Sequence, residues 1–224
     1  MAGVDTQGVA AVTPSCLART LVASAIFVVL AAVFAWHLTR GFEAWTFEDR
    51  RVLAMNAGEI FARLPVLLTP ERQAFSARAQ PGDAAEVYLV DFIYTSCPTL
   101  CQVLGSEFHQ MQQRLKDTGL DSSVRLLSVS IDLRRDEPEQ LANYAKRHQA
   151  DGKTWVVGVP ISARELKTVL RDLQVVAVDD GFGGYVHNGA IHMLDASGNL
   201  LGLYEYDQWQ QAVEDASRMV KASL

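Results

Sequence analysis

Apolar positions fall along this chain of 224 residues in three rhythms. Residues 21–38 are apolar with no Asp, Glu, Lys or Arg among them. As a helix they would reach about 27 Å, close to one hydrocarbon thickness, which predicts a membrane span. Residues 87–94 are a short apolar run rich in β-branched and aromatic side chains, as expected of a strand buried on both faces. Residues 124–131 and 154–159 repeat the type. Between these runs the spacing turns helical, over 103–116, 138–149 and 162–173. Asp136-Glu137-Pro138 gives the second helix an acidic start, and Ser162 with Glu165 predicts a capping box on the third. Strand, helix and strand in alternation predict parallel pairing through right-handed crossovers. Further on, residues 190–194 and 200–204 read as two short strands around the turn Asp195-Ala196-Ser197-Gly198-Asn199. Residues 207–224 read as a closing helix.

The stretch between the span and the first buried strand is less regular. Residues 42–62 are mixed and weakly helical, 64–68 suit a short edge strand because Pro65 bars a central one, and 69–83 read as loop. The expected organisation is a tail over 1–20, an anchor over 21–38, a linker over 39–63 and a compact domain over 64–224. That order of elements describes an α/β, thioredoxin-like sandwich, a central mixed sheet flanked by helices, behind an N-terminal transmembrane helix. A cleaved secretory signal is the alternative for 21–38, with Val33-Phe34-Ala35 as processing site. Cys16 precedes the apolar run, so it is not placed like a lipoprotein cysteine.

A hydrophobic content of 49% allows a full core, and a formal charge of −6 argues against a nucleic-acid partner. Arg19 on one side of the span faces Arg40, Arg50 and Arg51 on the other, a balance that leaves the orientation open or puts the domain in the cytoplasm.

The chemistry concentrates where the first buried strand ends, at Cys97-Pro98-Thr99-Leu100-Cys101. Proline after Cys97 suits a first helical turn, and unpaired N–H groups there favour thiolate over thiol. Three residues between the cysteines place both on one helical face, where they can close as a disulfide or offer two soft ligands to an ion such as Cu(I). Among the histidines, His187 follows a glycine-rich loop and precedes a strand, so it is the better ligand candidate. His192, inside the strand, reads as packed or surface. His109 and His148 lie among Gln, Lys and Arg and read as solvated, and His37 as interfacial.

Four pieces together resemble the Sco/SenC family of membrane-anchored copper chaperones. They are Phe92-Ile93-Tyr94-Thr95-Ser96-Cys97-Pro98-Thr99-Leu100-Cys101, the run from Ser128 through Asp132 to Asp136, the helix segment Leu141-Ala142-Asn143-Tyr144, and His187 eight residues before Asp195. The resemblance implies a copper ion held by Cys97, Cys101 and His187. It also implies delivery to, or maturation of, the copper A site of cytochrome c oxidase, with subunit II or another copper or thiol client as partner. A periplasmic domain on a single-pass bacterial inner-membrane anchor, or the mitochondrial equivalent, comes with it. Thr99, Gln102 and Val186 stand where family members often carry Asp, Pro and Asp. The alternative is a membrane-anchored thiol–disulfide oxidoreductase whose redox pair is Cys97 and Cys101.

Overall fold

The computed structural model describes residues 14–77, 85–97, 100–181, 184–187 and 189–223; for residues 14–16, 47, 48, 100, 187 and 223 it describes the backbone alone. The chain divides into two compact units, Met1–Arg50 and Arg51–Leu224.

The first unit holds helix α1 (Pro14–Leu38). Within it Leu17–Leu38 has a mean hydropathy of 2.4 with no share buried, so it is long and apolar enough to cross a membrane. Thr39 closes the helix: its hydroxyl donates to the Ala35 carbonyl at 2.7 Å and accepts from the Phe42 N–H at 2.9 Å. Helix α2 (Phe47–Asn56) carries the chain across the boundary between the units.

The second unit is built on one sheet. Its strands in chain order are β1 (Leu67–Leu68), β2 (Ala74–Phe75), β3 (Val87–Ile93), β4 (Val124–Ser130), β5 (Trp155–Pro160), β8 (Ile191–Asp195) and β9 (Leu200–Tyr204), and in space they run β2-β1-β5-β4-β3-β8-β9. β3, β4 and β5 are parallel, as the alternating pattern predicts, while β1, β8 and β9 run antiparallel to their neighbours, so the sheet is mixed. All seven residues of β3 and of β4 are buried, which explains why apolar side chains dominate both, with Asp91 in β3 and Arg125, Ser128 and Ser130 in β4 the buried polar exceptions. The helices are α3 (Leu100–Asp117), α4 (Pro138–His148), α5 (Ala163–Asp172) and α6 (Trp209–Ser223), with a 3₁₀ turn at Tyr206–Gln208 before the last. α3 touches both α4 and α6 and packs over β4.

Two strands fall where the pattern predicts only a loop. β6 (Ala177–Asp179) and β7 (Tyr185–His187) form a separate antiparallel hairpin, Ala177 opposite His187. The loop expected over 69–83 likewise contains β2, paired with β1. The capping box on α5 is half present. Ser162 Oγ accepts the Glu165 N–H at 3.2 Å, but the Glu165 carboxylate accepts the Val66 N–H at 3.1 Å and so ties the helix to the chain entering β1. In the β8–β9 turn Asp195 accepts the N–H groups of Gly198 at 2.7 Å and Asn199 at 2.9 Å; Gly198 has φ +106° and its Cβ position would fall against the Ala62 carbonyl, which is why glycine stands there.

Candidate metal and thiol site

β3 ends at Ile93 and the chain turns through Tyr94 into α3, the Cys97 N–H donating to the Tyr94 carbonyl at 3.1 Å. Pro98 and Thr99, on which the reading of a proline at the first helical turn rests, lie outside the described residues. Cys97 Sγ accepts the Cys101 N–H at 3.4 Å, so the first sulfur occupies the place of a helix N-cap for the second cysteine. The two cysteines are not joined in a disulfide, and both are buried. The Gln102 side-chain amide donates to the Cys97 carbonyl at 3.1 Å, and the Tyr144 hydroxyl of α4 donates to the Cys101 carbonyl at 3.1 Å.

The electrostatics correct one expectation. Burial pushes the Cys101 thiol up, and its contact with Cys97 and the nearby Asp91 push the same way, so the helix start does not by itself make this sulfur a thiolate. Tyr94 is also raised, first by burial and then by its hydrogen bond with Cys97.

The loop before Cys97 is held from the end of β4. Asp136 accepts the Thr95 N–H at 2.9 Å, the Thr95 hydroxyl at 2.6 Å and the Ser130 hydroxyl at 2.6 Å. Asp132, fully buried, accepts the Arg134 N–H at 3.3 Å and pairs with the Arg135 guanidinium. Both aspartates of the Asp132-to-Asp136 run therefore brace the turn that faces the cysteines. Arg135 lies 5.8 Å over the Tyr185 ring and Arg134 reaches Asp179 at 3.4 Å, so this turn also meets the β6–β7 hairpin.

The hairpin that carries the third predicted residue meets the cysteine loop through Tyr185. Tyr185 packs edge-on against Tyr94 with ring centroids 5.4 Å apart, and Tyr94 hydrogen-bonds to Cys97. His187 stands two residues beyond Tyr185 on β7, and its side chain lies outside the described residues. Among the described residues no three His, Cys, Asp or Glu side chains gather in a metal-binding group. The donors that are described suit a soft ion: two thiols meet at one helix start, shielded from solvent, with one sulfur held by a backbone N–H.

The other histidines are placed differently. His192 is fully buried on β8, with Nδ1 3.3 Å from the Val90 carbonyl, Nε2 against the Arg51 guanidinium, and Phe92 edge-on at 5.5 Å. Burial and the Arg51 charge lower it to about 3, so it stays neutral and is occupied within the core. His148, expected in solvent, is buried against Tyr144 at a centroid distance of 4.6 Å. A buried carboxyl also lies behind the site. Asp91 is fully buried on β3, opposite Ser128 of β4, inside an otherwise apolar run.

Comparison with known proteins agrees with this architecture. The SCO1/SenC family model matches residues 73–221. A SCO1 protein homolog of Bacillus subtilis is 28% identical over 142 residues, 60% of this chain and 72% of the relative. BsSco, a member of the Sco family of cytochrome c oxidase assembly proteins in which a disulfide switch is identified, shares the fold at TM-score 0.59 and 20% identity, over 71% of this chain and 93% of that one. Bradyrhizobium japonicum ScoI with copper bound does so at TM-score 0.56 and 22% identity, over 70% and 98%. The match of the family model over residues 73–221, which hold both cysteines and most of the sheet, means that this chain belongs to the SCO1/SenC family.

Proposed function

We propose that the protein is a copper metallochaperone that holds one copper ion as cargo through Cys97, Cys101 and His187. The observation that carries the reading is the meeting of two buried thiols at the start of α3 with a hairpin that bears His187 and packs through Tyr185 on the adjoining Tyr94. Two thiolates and a neutral imidazole are the donor set that selects Cu(I), and three donors leave a position for a client's ligand during transfer. Membership of the family and its copper-bound relative support the same reading.

The client is the copper A site of cytochrome c oxidase, on subunit II, as the family resemblance implies. Residues 21–38 anchor the protein and 39–63 link the anchor to the domain, while most of the tail expected over 1–20 lies outside the described residues. The domain faces the periplasm from a bacterial inner membrane, or the corresponding compartment in mitochondria.

Because the ligands must lose their protons to bind, the affinity falls with falling pH. In a competition titration the full chain in detergent binds one Cu(I) at the cysteine site, and Cys97→Ser and His187→Ala each weaken it by more than tenfold. Unchanged affinity in both variants overturns the proposal.

The second reading, a thiol–disulfide oxidoreductase, draws on the closeness of the two sulfurs. Cys97 Sγ accepts the Cys101 N–H at the helix start and both thiols are buried, so in this reading Cys97, ahead of the helix, attacks and Cys101 resolves. Function surviving His187→Ala but lost with either cysteine selects this reading.

A further inference from the structure

α3 and α4 share a seam that begins at the cysteine site and continues away from it. At its head the Tyr144 hydroxyl donates to the Cys101 carbonyl at 3.1 Å. One turn on, the His148 ring lies against Gly105, where a Cβ would stand only 2.6 Å from ring atoms, so only glycine admits the imidazole. At the far end the Gln112 side-chain amide donates to the Gln149 carbonyl at 2.9 Å and its carbonyl accepts the Asp151 N–H at 3.0 Å.

Cys101, Gly105 and Gln112 of α3 thus all face α4, and His109 lies between the last two on that face, four residues past Gly105 and three before Gln112. Its counterpart across the seam is His148, adjacent to Gln149 and 8% exposed. Each ring has one nitrogen buried with no hydrogen-bond partner among the described residues, Nδ1 of His109 and Nε2 of His148. A buried imidazole nitrogen without a partner is costly, and each of these two can offer a lone pair to an ion in the tautomer that carries its proton on the other ring nitrogen.

We infer that His109 and His148 form a second Cu(I) site, distinct from the cysteine site and one to two helical turns from it. Imidazole nitrogens suit copper and zinc alike. Among the described residues no third His, Cys, Asp or Glu joins this pair. Zinc and Cu(II) ordinarily require about four ligands, whereas Cu(I) is stable with two. Arg147, next to His148, adds a positive charge that disfavours a divalent ion more than a monovalent one. The same burial, together with Arg147 and His109, holds His148 below its ordinary value, so the imidazole is neutral and free to ligate.

The test is a Cu(I) titration of the full chain in detergent against a chromophoric chelator, with X-ray absorption of the loaded protein. The background variant Cys97→Ser, Cys101→Ser, His187→Ala removes the first site, which makes the outcome independent of the copper reading above. It is expected to keep one Cu(I) with nitrogen neighbours and no sulfur, and adding His109→Gln is expected to abolish that binding while circular dichroism stays unchanged. His148→Gln serves as the companion variant, and because its ring packs on Gly105, its fold is checked by the same spectrum. No Cu(I) in the background variant, or binding that survives both glutamine substitutions in folded protein, overturns the inference.

Discussion

Replacing Asp136 with alanine is expected to destabilise the domain by about 4–5 kcal/mol, the low end of the sum, because hydrogen bonds to a charged acceptor contribute roughly 1.5–3 kcal/mol each and this carboxylate accepts three. The loss is not confined to stability. Thr95 precedes Cys97 by two residues, and its N–H and hydroxyl both end on Asp136, so the side chain holds the cysteine loop to the end of β4. Alanine leaves three donors without an acceptor in a nearly closed space, since Asp136 is 2% exposed. Asparagine keeps one acceptor oxygen and is expected to restore about half of the loss. Two measurements check this: the urea midpoint, and the rate at which the buried cysteines react with an alkylating reagent. An unfolding free energy within about 0.5 kcal/mol of the parent protein's contradicts the bracing role, that being the range of ordinary surface substitutions. Faster alkylation at unchanged stability would place Asp136 in the loop alone and not in the fold.

The parts of the molecule that the sequence made legible are those where burial and periodicity agree. β3, β4 and β5 are buried throughout or nearly so, and each announces itself as a mainly apolar run. The β8–β9 turn was legible because Asp195 and Gly198 are the residue types such a turn requires. The β6–β7 hairpin was not, since its strands have three residues each, Val178 and Val186 are exposed, and glycines lie between them. Its importance comes from a tertiary contact, Tyr185 on Tyr94, which no local pattern contains. His148 was misread for a different reason. Its neighbours Lys146 and Arg147 are polar, but the face it shares with Leu141 and Tyr144 is the buried one, and the spacing of 141, 144 and 148 carried that signal. The pair Cys97 and Cys101 was visible from spacing alone, whereas the enclosure that raises the Cys101 thiol depends on α4 and β3 closing over it.

Asp91 is the sharpest conflict between local pattern and structure, and it sets the second large effect. The carboxyl is fully buried, and neither oxygen meets a hydrogen-bond donor in good geometry. Burial raises it to about 7, and the Ser128 hydroxyl beside it offsets only part of that. In the unfolded chain an aspartate titrates near about 4. Between those two values the folded protein holds a proton that the unfolded chain has released, so stability falls as pH rises. The contribution of the neutral acid is therefore fully present below about pH 4 and is lost as pH rises through about 7. At about 1.4 kcal/mol per unit, three units correspond to a cost on the order of 4 kcal/mol at pH 8. Asp91→Asn removes the charge and keeps the shape. The variant is expected to match the parent protein near pH 4, to gain on it steadily up to pH 7, and to exceed it by about 2–4 kcal/mol at pH 8, with the gap constant beyond. Urea unfolding of both proteins across that range measures the gap directly. A gap independent of pH would mean that Asp91 does not change protonation on folding, and that the charge is tolerated beneath the cysteine site.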